Sequence, residues 1–110
     1  MTYIPGRGDA VWLMFDIQAG HEQAGHRPAL VISPRVYNAK TGLSLVCPIT
    51  SQVNQYAFEV DIPAGLPVAG VVLADQIKSL DWRARKADYI CTLPPETTID
   101  VIAKIIPLLE

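Results

Sequence analysis

Three short segments concentrate the side chains able to hold an oxyanion or move a proton: Gly20-His21-Glu22-Gln23-Ala24-Gly25-His26-Arg27-Pro28, Pro48-Ile49-Thr50-Ser51-Gln52 and Ala74-Asp75-Gln76-Ile77-Lys78-Ser79. The first combines two glycines, two histidines, a carboxylate and an arginine, a composition suited to a loop that covers a ligand or, more plainly, to a polar hairpin. The proline after Arg27 keeps the chain extended there, so its guanidinium is held at the base of the loop. An arginine so placed either grips an anionic ligand with its planar fork or forms an ion pair, for which Asp75 and Asp81 are the available carboxylates. Thr50 is a hydrogen-bond donor to the same kind of centre, or else only a hydroxyl that caps a turn. For proton transfer, His21 starts near pKa ~6.5, whereas arginine, above about 12, is a poor acid or base at neutral pH.

Short strands are the elements that must carry these groups. Asp9 to Phe15, Ala29 to Ser33 and Leu43 to Ile49 are runs rich in Val, Leu, Ile and Trp bounded by Gly, Pro and Asn. Pro34 to Lys40 predicts one or two helical turns, with Pro34 at the first position and Thr41-Gly42 ending them. Ala57 to Asp61 alternates, Phe58 and Val60 on one face and Glu59 and Asp61 on the other; Gly70 to Ala74 and Ile77 to Trp82 complete the strands. About six short strands favour a small barrel or a strongly curved sheet. The period then changes: Ile99, Ile102, Ala103 and Ile106 recur at helical spacing, Pro95 suits the first helical position, and Pro107 should stop or kink the helix near Ile106. The expectation is one mostly β (α+β) domain over 1–110, with a short helix after the second strand and a terminal helix.

Half of the 110 residues are hydrophobic and only 18% are charged, and both faces of Ala10 to Phe15 read as apolar. Such a balance points to a homodimer. Nothing approaches the roughly 18 apolar residues of a membrane span, and the N-terminus does not read as an export signal, which fits a cytoplasmic protein. Cys47 and Cys91 sit in apolar settings without metal-ligand spacing, so free thiols are expected and no cofactor or metal. The net charge of -2 argues against bulk binding of nucleic acid. Locally, however, no acid lies between Glu22 and Glu59, an interval holding Arg27, Arg35 and Lys40, while Lys78, Arg83, Arg85 and Lys86 cluster around Asp81. If the two segments meet, they form a phosphate-attracting surface; if not, they are ordinary solvated charges.

Gly8-Asp9-Ala10-Val11-Trp12-Leu13, the whole Gly20 to Val31 segment, Asn38, Pro48-Ile49-Thr50-Ser51 and Gly70 to Asp81 together resemble the MazF/PemK toxin family, in order and over nearly the whole chain. The resemblance implies a dimeric SH3-like barrel that cleaves single-stranded RNA, with Arg27 and Thr50 as the catalytic pair and the Gly20 to Gly25 loop over the RNA. It also implies a cognate antitoxin whose acidic, disordered tail occupies the same groove, and contact with DNA only through the toxin-antitoxin complex. Glu22 and His21 are expected to support catalysis. RNA contacts are expected at His26, Asn38, Ser51, Gln52, Asp75, Gln76, Lys78, Arg83 and Arg85.

Two features depart from the family. A plasmid-borne branch carries an arginine, assigned as general acid, where this chain has Leu73, and the Gln52 to Tyr56 loop holds no lysine or arginine, so base preference does not carry over. Independently of the family, metal-free RNA cleavage requires a base near the 2′-hydroxyl, a proton donor for the 5′-oxygen and positive charge for the phosphorane, and the three segments contain all three. Two other readings belong to different classes. A gyrase-poisoning toxin of the CcdB kind would end in tryptophan, glycine and isoleucine, whereas Ile106-Pro107-Leu108-Leu109-Glu110 stands here; a non-catalytic SH3-like interaction module would have no use for the Arg27 site.

Overall fold

A computed structural model describes residues 2–15 and 25–110. Its strands are β1 (Asp9–Met14), β2 (His26–Val31), β3 (Leu43–Thr50), β4 (Glu59–Asp61), β5 (Val71–Leu73), β6 (Lys78–Asp81) and β7 (Asp88–Thr92), with helices α1 (Arg35–Thr41) and α2 (Pro95–Ile105). All pairings are antiparallel, in the order β4-β5-β3-β2-β1-β7, with β6 beside β3. This is the mostly β, α+β fold expected from the sequence; among the described residues the sheet is not closed into a barrel, since β4 and β7 end the path.

Alternation along the central strands explains why the sheet is covered on both sides. Ala10, Leu30, Cys47 and Ile49 face Val72, Leu93, Val101 and Ile105 in one cluster; Val11, Leu13, Ala29, Val31 and Val46 meet Trp82 in another. Ala10, Val11 and Leu13 are therefore buried within the chain itself, while Trp12 stays exposed and Met14 half-buried. Those three, covered by the chain's own core, do not motivate the dimer that the apolar run had suggested.

β3 is the long strand on which the rest is assembled. Its first half pairs with β6 and its end with β5, and the register slips between them by the three residues of the 3-10 turn Ala74–Gln76. That turn carries Asp75 and Gln76 beside the middle of β3, where Cys47 reaches the Ala74 carbonyl. α1 begins one residue after Pro34, which is its N-cap, and Gly42 ends it at φ 75, a left-handed backbone that a glycine adopts without cost. α2 starts at Pro95, and the chain tightens into a 3-10 turn at Ile106–Leu109, where Pro107 cannot donate an α-helical bond.

Candidate active site

β2 begins at His26, earlier than the apolar run suggested, because Met14 pairs with His26 and Leu13 with Arg27. Arg27 is thus a strand residue, and Pro28, with no N–H to give, sits where β2 has β1 as a partner but has not yet met β3. Ala29 pairs with Pro48; following that register outward brings Arg27 toward Thr50. Both residues line a cleft of about 410 Å³ with Trp12, Pro28, Ile49, Ser51 and the turn Pro67, Val68 and Ala69.

Arg27 is exposed, and among the described residues no carboxylate pairs with it. The two acids proposed as its partners are engaged elsewhere: Asp81 Oδ1 accepts the N–H groups of Arg83 and Ala84, and Asp75 Oδ2 accepts the Tyr56 hydroxyl. The ion pair with a buried carboxylate lies at Asp9, which receives Arg35 at 3.3 Å and also Tyr3, Gly6 and Thr92. Arg35 is therefore spent on the fold and not on a ligand.

Thr50 Oγ1 accepts the Gln52 N–H at 3.1 Å, which orients the hydroxyl and leaves its own proton for another acceptor. The backbone behind it is fixed by Gly70, whose φ of 113 favours glycine and where a Cβ would collide with the Thr50 carbonyl. Sequence reading placed Gly70 in the family pattern without this reason. His26 is exposed and stacks on Trp12, ring centroids 5.1 Å apart, so Trp12, 37% exposed, forms an aromatic wall of the cleft that its apolar surroundings had concealed in the sequence.

The two basic segments partly meet. Lys78 lies over the Phe15 ring at 5.5 Å, and Phe15 follows the end of β1, next to the start of β2. Arg85 reaches the same place but donates to the carbonyls of Met14 and Phe15, so it braces the strand end, in contrast to the expected RNA contact. Arg83 stacks on Trp82 at 4.8 Å and remains exposed. Ser51 is exposed at the cleft, and the exposed Gln52 and Gln76 line an adjoining cleft of about 640 Å³ that shares Thr50 with the first.

One expectation is overturned outright. Asn38 is fully buried in α1: its Oδ1 accepts the Ser33 hydroxyl at 2.6 Å, and its Nδ2 donates to the carbonyls of Pro5 and Ser33. It ties the N-terminal segment to α1 and cannot touch RNA from there. His21, Glu22 and most of the Gly20 to Gly25 loop lie outside the described residues. Both cysteines are free, and burial pushes the Cys47 thiol up to about 12, where it is inert at neutral pH.

Comparison with known proteins places this geometry. A family model described as PemK-like, MazF-like toxin of type II toxin-antitoxin system matches residues 6–109. The endoribonuclease toxin MazF of Escherichia coli K12 is 50% identical over 103 residues, covering 94% of this chain and 92% of that protein. Among solved structures, MazF from Deinococcus radiodurans is similar at 52% identity with TM-score 0.89, covering 98% of each chain. A MazE-MazF complex from the same organism is 46% identical with TM-score 0.88, covering 98% of this chain and 97% of that one.

Proposed function

The chain belongs to the PemK-like, MazF-like family of type II toxins and is a MazF-like endoribonuclease toxin; we propose that it cuts single-stranded RNA in the Arg27–Thr50 cleft through the substrate's own 2′-hydroxyl. The 2′-oxygen attacks the neighbouring phosphorus, the 5′-oxygen leaves, and the products are a 2′,3′-cyclic phosphate and a 5′-hydroxyl. Arg27 holds two oxygens of the phosphorane and Thr50 donates its hydroxyl proton to a third, so both act most strongly where negative charge develops. Glu22 and His21 are proposed to move the protons. The observation that supports this reading is an exposed arginine, without a carboxylate partner among the described residues, in one cleft with an oriented threonine hydroxyl. The gyrase-poisoning and binding-module readings have no comparable observation behind them. Cutting of mRNA in the cytoplasm, in a sequence-specific manner, would stop translation and growth.

The purified protein should cut RNA in excess EDTA and leave cyclic phosphate ends, while DNA survives. Persistent cutting of an RNA with deoxyribose at the scissile position would rule out 2′-hydroxyl attack.

We further propose a homodimer, on the ground that Ile99, Ile106, Leu108 and Leu109 are exposed along α2 and the turn after it, an apolar strip that a second copy would cover. The cognate antitoxin would engage the Arg27 cleft and Lys78 with an acidic segment that is disordered until bound, leaving DNA contact to the antitoxin. Sedimentation should give a dimer at micromolar concentration, whose complex with the antitoxin loosens as salt is raised. A monomer, or a complex indifferent to salt, contradicts these assignments.

A further inference from the structure

The cleft next to Thr50 has a polar wall whose polarity is fixed. Tyr56, 50% exposed, packs its ring against Phe58 at 5.7 Å and donates its hydroxyl proton to Asp75 Oδ2 at 2.7 Å. The segment that carries it is held on several sides: Asn54 N–H reaches the Glu59 carboxylate, Ala74 N–H reaches the Phe58 carbonyl, and Lys104 Nζ reaches the Ala57 carbonyl. Tyr56 is a preset platform and not a free surface ring.

Asp75 carries an anomaly. Its other oxygen, Oδ1, is buried and has no hydrogen-bond partner among the described residues, an arrangement that disfavours the folded state. An asparagine would fit the same space, but its amide could present either an acceptor or a donor to the phenol. A carboxylate can only accept. Asp75 therefore forces Tyr56 to be the donor and leaves the phenol oxygen, its one proton committed, as an acceptor alone on a residue that lines the cleft.

Building on the ribonuclease reading, we infer that Tyr56 is a specificity-determining residue that selects, at one position beside the cut, a nucleobase bearing an exocyclic amino group, with Asp75 as its positioning residue. The base stacks on the Tyr56 ring and donates its amino N–H to the phenol oxygen. Adenine, cytosine and guanine can do this. Uracil cannot do so well, because its single ring N–H is flanked by carbonyl oxygens that would face the same acceptor. The exposed Gln76 amide, which lines the same cleft, supplies a donor to the ring acceptor beside the amino group of adenine or cytosine.

The test is cleavage of a randomised single-stranded RNA pool followed by sequencing of the new 5′ ends, with wild type, Tyr56→Phe and Asp75→Asn. Wild type should disfavour uracil about tenfold or more at one position near the cut. Tyr56→Phe, which keeps the ring and removes the acceptor, should bring that discrimination close to unity while preferences at other positions persist. Asp75→Asn lets the phenol turn its proton outward and should raise uracil at that same position. An unchanged cleavage pattern in Tyr56→Phe, or equal relaxation at every position, overturns the inference; should Asp75→Asn not fold, the Tyr56→Phe pattern decides alone. A wild type that cuts no RNA would sink the ribonuclease reading and this inference with it, whereas a cutting wild type with unaltered variants sinks only the latter.

Discussion

Arg27→Ala should lower the single-turnover rate of RNA cleavage by roughly two or more orders of magnitude while leaving the melting temperature almost unchanged. The two halves of that expectation have separate grounds. Loss of rate follows from the cleft, where no other described guanidinium lines the wall with Thr50. Retention of the fold follows from exposure: an arginine in water without a carboxylate partner among the described residues leaves no buried charge behind when it is removed. A structural arginine behaves differently, because breaking a buried ion pair costs on the order of 3 to 5 kcal/mol. Arg27→Lys should rescue little, since the ammonium restores charge but not the fork that holds two oxygens at once. Thermal melts beside cleavage rates decide the matter: a destabilised variant, or a folded and active one, removes Arg27 from the catalytic site.

The resemblance that named Arg27 and Thr50 could not show why they meet. That depends on register, the pairing of Leu13 with Arg27 and of Ala29 with Pro48, which joins residues far apart in sequence. Local signals were legible where local physics decides. Gly42 ends α1 because only a left-handed residue continues there, Pro95 opens α2, and Pro107 forbids a further α-helical turn. β7 was illegible because it is an edge strand of half-buried and exposed residues, Asp88 to Thr92, with no run of buried apolar positions to mark it. Tyr56 was hidden for a related reason. A tyrosine in a loop carries no pattern until the turn after β5 sets Asp75 beside it.

Asn38 separates what a resemblance can tell from what it cannot, because it marks a residue as shared without saying whether the fold or the substrate needs it. Asn38→Ala should destabilise the protein by about 3 kcal/mol, the sum expected when a buried hydroxyl and two buried carbonyls each lose a partner. Against a total stability of about 5 to 15 kcal/mol this is large, and the melting temperature should fall by roughly 10 to 20 °C. Asn38→Asp should do no better, since it keeps the acceptor for Ser33 but turns an oxygen toward the carbonyls of Pro5 and Ser33. At a temperature where the variants remain folded, RNA cleavage per folded molecule should match wild type, because the side chain is wholly buried and away from the residues lining the cleft. The opposite pattern, an undisturbed melt with weakened RNA binding, would return Asn38 to the RNA surface and require α1 to open toward the substrate.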